Sequence, residues 1–461
     1  MIRQINSEIF ILGMGISGIS LAKYLIKKKI PVTCWDDNPE KRKVTHSLKI
    51  KINNMTPETL KNCNYLVLSP GINHQKKKPH EAVKIARSLD IKIVTDLEFL
   101  KILNIKNPLI GVTGTNGKST TTHFISQILS YKNFRDSKCC GNIGTPFTDL
   151  KINKKTLLVV EASSYQLAKI DKLNFDYAFL LNISKDHIEW HGTFRKYIDS
   201  KLNIFKNQTK KSFAVICIDD INCRRIAYNF KKNFKSKLIL ISCKYTENVD
   251  IYLKTENNKI KIFNNISKEN IEISINKLSF VKAQHNFQNL LAAYTSSFLL
   301  NQKTDDFLSS LKNIHTLQHR IEFSGTFKNI DFYNDSKSTN VNSAKTAIKS
   351  FKNIFWILGG REKKGGLKGI EKNLGNILKA YVYGECSENF KKFLVRNSII
   401  CLEFKTLRES FNQAFKDAIK QKMNINILLS PACSSFDQFN NFEDRGKEFK
   451  QLVSEKIKIS D

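Results

Sequence analysis

The sequence predicts an α/β protein built from three successive parallel-sheet domains. Three observations carry this. Short apolar runs of four or five residues alternate with stretches of helical periodicity along the whole chain. Two of those runs pass directly through glycine-rich loops into helices. The 461 residues exceed what one hydrophobic core usually organises and point to about three domains. The expected limits are 1–104, 105–316 and 317–461.

The first domain opens on Ile9-Phe10-Ile11-Leu12, a strand. Gly13-Met14-Gly15-Ile16-Ser17-Gly18 follows with GxGxxG spacing, and Ile19, Leu21, Ala22, Leu25 and Ile26 then mark a helix. Val32–Trp35 is a second strand. It ends at Asp36-Asp37, about twenty residues past the glycines, where a carboxylate grips a ribose. This is a Rossmann-like unit. Its physics demands only a diphosphate and a ribose, so a dinucleotide cofactor and a nucleotide-linked substrate fit equally. Tyr65–Leu68 leads into Ser69-Pro70-Gly71, Ile91–Val94 is a further strand, and Asn104–Asn107 reads as a linker.

The central domain starts with Leu109–Val112, a strand that enters Thr113-Gly114-Thr115-Asn116-Gly117-Lys118-Ser119-Thr120 and then a helix. Glycines let successive backbone N–H groups turn toward phosphate oxygens, and the positive helix end faces the same spot. Lys118 adds a point charge, and the Ser119 hydroxyl is a ligand for Mg²⁺. Val112 stands where a strict Walker pattern has its first glycine. Gly141–Pro146 reads as a polar turn cluster. Leu157–Val160 ends at Glu161, and Phe179–Ile183 is followed by Asp186-His187. In parallel sheets ligands bind beyond the carboxyl ends of the strands. Ser119, Glu161 and His187 there make a mixed shell for Mg²⁺ or Mn²⁺. Singly, each has a plain structural alternative. Phe213–Ile218 and Lys237–Ile241 continue the alternation, and Ile251–Ile275 reads as a peripheral antiparallel strand pair. Asn286 and Asn289 share one face of the helix that runs to Leu300. Two amides there suit an adenine, with helix capping by Asn286 as the alternative.

The third domain begins near Leu317-Gln318-His319-Arg320. Strands at Phe332-Tyr333, Ile354–Leu358, Ala380–Tyr383 and Ile425–Leu429 end in loops that carry Lys, Arg, Ser and Thr. That set suits a carboxylate-bearing ligand.

Composition narrows the rest. The net charge of +33 comes from lysines scattered over the whole length, without a nucleic-acid motif, so a solvated surface is expected and no nucleic-acid partner. The ten cysteines form no CxxC pair, which suits a reducing cytoplasm. No segment approaches the ~20 apolar residues of a membrane span.

Taken together, Gly114–Thr120, Glu161-Ala-Ser-Ser-Tyr-Gln-Leu, His285-Asn286 with Asn289, His319-Arg320 and Asn334-Asp335-Ser336-Lys337 resemble, in order, the signatures of the Mur ligase family of cell-wall synthesis. The opening glycines, Ser69-Pro70-Gly71, Ser430–Phe439, Asn441-Phe442-Glu443 and Arg445-Gly446 resemble the branch that adds D-glutamate. The resemblance implies ATP-dependent amide ligation through an acyl phosphate, with UDP-N-acetylmuramoyl-L-alanine and D-glutamate as substrates. It implies that Ile16, Ser17, Asp36, Ser69, Gly71 and Asn142 hold the UDP-sugar. Gly114, Thr115, Asn116, Gly117, Lys118, Ser119, Thr120, Asn286, Asn289, Arg320 and Asp335 would hold ATP. Ser119, Glu161, His187 and a carbamylated Lys201 would bind two Mg²⁺, so that Lys118, Glu161, His187 and Lys201 form the catalytic set. Lys337, Thr339, Lys363, Ser435 and Phe442 would receive D-glutamate, with Lys364 an alternative to Lys363. A cytoplasmic monomer is expected. A sister ligase adding another amino acid and an NAD-binding oxidoreductase are the rival readings; the second leaves Lys118 and Glu161 unexplained.

Overall fold

Three sheets organise the protein, and each arises where the sequence places short, doubly apolar runs. The structure is a computed structural model that describes residues 8–76, 78–275, 286–362 and 365–458. The first sheet has order β2-β1-β3-β4, formed by β1 (Glu8–Leu12), β2 (Val32–Trp35), β3 (Cys63–Leu68) and β4 (Lys92–Val94), all parallel. Burial on both faces explains why β1, and β3 over Leu66–Leu68, read as continuous apolar runs rather than as alternation.

The second sheet holds β5 (Leu109–Thr113), β6 (Asp136–Gly141), β7 (Thr156–Glu161), β8 (Tyr177–Leu180), β9 (Phe213–Cys217), β10 (Lys237–Ser242), β11 (Ile251–Glu256), β12 (Lys259–Asn264) and β13 (Glu269–Ser274). Its order is β13-β12-β11-β10-β9-β8-β5-β7-β6. From β6 to β11 neighbouring strands are parallel, and β12 and β13 add an antiparallel meander. The expected strand pair over 251–275 is therefore three strands. The turn Asn257-Asn258, with φ of 46° and 60°, folds the first hairpin. The edge strand β6, Asp-Ser-Lys-Cys-Cys-Gly, was not foreseen. It lacks the β-branched and aromatic residues that mark strands, because an edge is only half covered.

The third sheet has order β14-β15-β19-β16-β17-β18, from β14 (Glu322–Phe327), β15 (Ile330–Asn334), β16 (Ile354–Gly359), β17 (Ile377–Tyr383), β18 (Cys401–Phe404) and β19 (Ile425–Leu429). Only β14 is antiparallel.

By backbone contacts the chain forms two units. One comprises the first two sheets, up to Ser274, with Phe287–Ile314; the other comprises the third sheet, from His315 onward. In the first unit one apolar core runs from Ile9, Ile11 and Leu25 through Phe99 and Leu109 to Phe175 and Leu180, and another gathers Phe10, Leu12, Leu66 and Val83 on the other face of the first sheet. In the second, one core lies on each face of the sheet, around Trp356 on one side and Phe411 and Phe449 on the other.

Candidate active site

The phosphate loop sits at the carboxyl end of β5, the strand between β7 and β8. Gly117 takes φ 81° and caps the helix Lys118–Ser130 with no side-chain hydrogen bond. The first N–H groups of that helix are thus left to a ligand rather than to a capping hydroxyl. A Cβ on Gly117 would meet Asn289 Oδ1 at 2.5 Å, so only glycine lets the loop pass beneath that amide. Asn289 Oδ1 in turn accepts from Thr121 Oγ1 at 2.9 Å.

Three parallel neighbours bring the chemistry together. Val112 of β5 pairs with Glu161 of β7, and Thr113 pairs with Leu180 of β8. Loops after all three strands therefore open on one edge, with Lys118 and Ser119 in the middle, Glu161 on one flank and the His187 loop on the other. Glu161 is 1% exposed. Its Oε1 accepts from Asn142 Nδ2 at 2.8 Å, and its Oε2 is buried without a partner. A buried carboxylate oxygen without a donor is costly unless a cation or donor arrives. His187 occupies the left-handed region at φ 52° and begins the turn Ile188–His191. Its ring lies 4.8 Å from that of Tyr165.

Lys201, on the helix Phe194–Leu202, is 1% exposed. Its Nζ donates to Gly114 O at 2.7 Å, and Lys118 Nζ donates to the same oxygen at 2.9 Å. Burial first, and then the charge of Lys118, hold the Lys201 amine well below the usual lysine range. The orphaned Glu161 oxygen, on the edge that also carries the Ser119 hydroxyl and the His187 loop, is the kind of hard donor that a divalent cation takes. Among the described residues no three His, Cys, Asp or Glu side chains are grouped so as to hold a metal.

Sequence reasoning missed Asn182. Its Oδ1 accepts from Asn116 N at 2.8 Å, its Nδ2 donates to Asn116 O at 3.1 Å and to Gln288 Oε1 at 2.7 Å, and its carbonyl accepts from Thr115 N at 2.9 Å. One amide thus fastens the tip of the phosphate loop. Tyr197, whose OH lies 2.9 Å from Thr115 Oγ1, was likewise passed over. An asparagine after a strand looks like turn chemistry, so no sequence signal singled it out.

In the first sheet Gly13 has φ 100°, and a Cβ on Gly18 would lie 2.2 Å from Gly13 O. The glycines thus serve a tight turn and a close helix approach. Asp36 is buried; its Oδ2 accepts from Met14 N at 2.7 Å and its Oδ1 from Asn38 N at 2.9 Å. It braces the glycine turn from below. Ser69 Oγ donates to Gly13 O at 2.9 Å, bringing Ser69 and Gly71 to that turn, and Ile16 projects 80% exposed beside the partly exposed Ser17. Asn142 lies on the second sheet's edge instead, where its Nδ2 donates to Glu161.

In the second unit β19 lies between β15 and β16, so three loops share one edge: 335–340, 360–362 and 430–438. Lys337 Nζ sits 3.9 Å from the Phe442 ring centroid, Ser435 is buried, and Thr339 follows on the same loop as Lys337. Asp335 accepts from Ser430 Oγ at 2.8 Å, and burial pushes its carboxyl up to about 7 against the pull of those hydrogen bonds and of Arg320. Arg320 is exposed. Asn286 is the first residue of the helix Asn286–Leu299, three before Asn289. Lys363, Lys364 and His285 lie outside the described residues.

Fold and site together define a phosphate-loop nucleotide enzyme on parallel α/β sheets. The family model described as the Mur ligase middle domain matches residues 112–297, and the one described as the Mur ligase MurD-like N-terminal domain matches residues 7–95. The UDP-N-acetylmuramoylalanine--D-glutamate ligase of Rickettsia prowazekii (strain Madrid E) is 36% identical over 455 residues, spanning 97% of this chain and 98% of that protein. The ligase of the same name from Caulobacter vibrioides (strain NA1000 / CB15N) is 32% identical over 457 residues, spanning 97% and 96%. Among solved structures, UDP-N-acetylmuramate-alanine ligase MurC from Thermotoga maritima shares the fold at 15% identity, with a TM-score of 0.57 over 98% of this chain and 100% of that one. MurF ligase from Thermotoga maritima in complex with ADP does so at 18% identity, with a TM-score of 0.55 over 87% and 91%. The chain belongs to the Mur ligase family.

Proposed function

We propose that this protein joins D-glutamate to UDP-N-acetylmuramoyl-L-alanine at the expense of ATP, in the making of peptidoglycan precursors. Family membership makes it an ATP-dependent ligase; the amino acid and the acceptor are those of its full-length relatives. The observation that supports the reading is the shared edge of β5, β7 and β8, on which the loops bearing Lys118, Ser119, Glu161 and His187 open.

The chemistry follows from charge. The alanine carboxylate attacks the γ-phosphorus of ATP, and both partners are anions. Lys118 and the open helix end lower that repulsion and stabilise the phosphoryl group in transfer. ADP leaves as the acyl phosphate forms; the D-glutamate amine then attacks its carbonyl carbon, loses a proton and expels phosphate, leaving the amide. Ser119, Glu161, His187 and carbamylated Lys201 would hold Mg²⁺, which supplies further charge neutralisation when bound. The neutral amine favoured at Lys201 is the form that adds CO₂. The carbamate thereby gained is an anion, which Lys118 would attract where it repels the ammonium.

Ile16, Ser17, Asp36, Ser69, Gly71 and Asn142 are assigned to the UDP-sugar. Asn286, Asn289, Arg320 and Asp335 are assigned to the nucleotide, and Lys337, Thr339, Ser435 and Phe442 to D-glutamate with Lys363. Residues 1–104, 105–316 and 317–461 are the corresponding domains of a cytoplasmic monomer. Among the described residues no helix is long and apolar enough to cross a membrane. Phosphate release from ATP and UDP-N-acetylmuramoyl-L-alanine, measured with D-glutamate, L-glutamate, L-alanine and L-lysine in turn, tests the assignment. Turnover with D-glutamate alone is expected; turnover with another of the four instead assigns the chain to a sister activity.

A further inference from the structure

The parallel strands that present the phosphate loop at their carboxyl ends leave a second edge at their amino ends. A groove of ≈ 950 Å³ opens there. It is walled by the segments that lead into β8, β9 and β10, with the helix Phe99–Ile102 beside them. Six lysines line it: Lys101, Lys172, Lys206, Lys210, Lys211 and Lys235. All six are exposed, and no Asp or Glu shares the lining.

The nearest carboxylates are spent elsewhere. Glu98 accepts from the N–H groups of Asp171, Lys172 and Leu173 at 2.8–3.3 Å. Asp171 pairs with Lys92 at 3.4 Å, and Asp176 accepts from Leu109 N at 2.9 Å. None of the six lysines has a carboxylate within ion-pair distance among the described residues. The floor is fixed. Asn207 Nδ2 donates to the carbonyls of Asp171 and Leu173, and Gln208 Nε2 donates to those of Phe175 and Phe213, at 2.8–3.0 Å. These amides tie together the turns that carry the lysines. The cations are therefore held in one place although they repel, and a concave cluster of one sign focuses its field on an anion.

The geometry points to a binding site for a linear phosphate anion of the polyphosphate class, separate from the catalytic edge. Flexible ammonium groups bind phosphate as point charges and need no planar partner. A single-stranded nucleic acid would also want open aromatic faces for its bases. Phe234 is the aromatic residue in the lining, and its ring is packed against Phe205 at 5.6 Å and Phe230 at 4.9 Å. The inference does not depend on which amino acid the enzyme adds.

The test is calorimetric titration of tripolyphosphate into the full-length protein carrying Lys118→Ala, so that the ATP loop contributes little. Saturable binding that weakens steeply with added salt is expected. Adding Lys206→Ser, Lys210→Ser and Lys211→Ser should weaken it roughly tenfold or more. The same three changes in the otherwise unaltered enzyme should leave phosphate release unchanged. Lys101→Ser with Lys235→Ser repeats the test from the other wall, should the triple variant misfold. Equal affinity with and without the lysines overturns the site. Tighter binding of a short single-stranded RNA than of tripolyphosphate overturns the ligand class.

Discussion

Lys118 and Lys201 share one acceptor, the carbonyl oxygen of Gly114, at 2.9 and 2.7 Å. Two ammonium groups on one oxygen repel, and the buried one yields its proton more readily. Carbamylation of Lys201 would turn this repulsion into attraction. Enzyme equilibrated with carbon-13 bicarbonate should show a carbamate carbon resonance that Lys201→Ala abolishes. That variant should lose at least ~100-fold in turnover, by analogy with the loss of one preorganised charge partner in a water-poor site. Wild-type activity that survives rigorous removal of CO₂, with no such resonance, would sink the idea.

Lys118 is the one side-chain cation on the loop itself. Lys118→Ala should cut phosphate release by roughly 1,000-fold, in the range set by removing a group that stabilises a transferring phosphoryl. The UDP-sugar affinity should stay within about twofold, since the assigned sugar-nucleotide residues Ile16 to Gly71 sit on another sheet. Calorimetry with the UDP-sugar and a phosphate assay read the two quantities separately. Parallel loss of both would mean that Lys118 shapes the fold instead.

Asn182 makes a sharper case, because it touches the loop through backbone groups only. Asn182→Ala frees the N–H and C=O of Asn116 and leaves Gln288 Oε1 without its donor. Loss of two or three hydrogen bonds at a partly open site costs about 2 kcal/mol, or roughly thirtyfold. The expected result is a higher KM for ATP with kcat changed far less, and an unaltered KM for the UDP-sugar. A uniform fall in kcat with no change in KM for ATP would count against a positioning role.

How much of this was legible follows from what each residue must satisfy. Lys118 and the glycines announce themselves because a phosphate cradle needs a particular backbone, and Gly117 at φ 81° is such a place. Glu161 and His187 were visible through the strands that carry them. Lys201 was invisible in a chain with 75 Lys and Arg, and only the family resemblance raised it. Asn182 and Tyr197 carry ordinary turn and helix chemistry, and their partners are fixed by folding at long range. Among the strands, buried parallel ones such as β5 and β16 were plain. The edges β6, β14 and β18 were missed, since half-covered strands need no unbroken apolar run. Asp36 spends both oxygens on backbone N–H groups, a duty that spacing alone does not distinguish from ribose binding.

Two histidines of the first unit set an acid limit. His191 is buried between Ser164 Oγ at 3.0 Å and Ser200 Oγ at 3.3 Å. Burial above all, and then the charges of His187, Lys201 and Lys169, push its imidazole down to about 4. Burial likewise pushes His74 down to about 4. Both stay neutral in the fold, whereas the unfolded chain takes up their protons below about pH 6.5. The stability they permit is thus complete above that value and is lost as the pH falls toward 4. The urea midpoint of the first unit should drop across this window, by the equivalent of about 2–3 kcal/mol for His191. His191→Asn should flatten the slope. An unchanged slope in the variant would remove His191 from the account.

Arg445 holds the second unit's site together from beneath. It is 0% exposed, with Nε donating to Ser336 Oγ at 2.9 Å and Nη2 donating to Ser336 O at 2.8 Å and Cys433 O at 3.1 Å. One guanidinium thereby joins the loop bearing Lys337 to the loop bearing Ser435, and anchors both to the helix Phe442–Lys458. Arg445→Met keeps much of the volume but strands two buried carbonyls, at a cost of about 3 kcal/mol. Denaturant unfolding should show that loss. Because the loops assigned to D-glutamate lose their common tie, KM for D-glutamate should rise roughly tenfold or more, while KM for the UDP-sugar, whose residues lie on another sheet, stays put. Arg445→Lys, a single cation without the fork, should restore little of it, since one ammonium cannot serve Ser336 and Cys433 in the same geometry. Full recovery with lysine would show that charge, and not the bridging of two loops, is what the position requires.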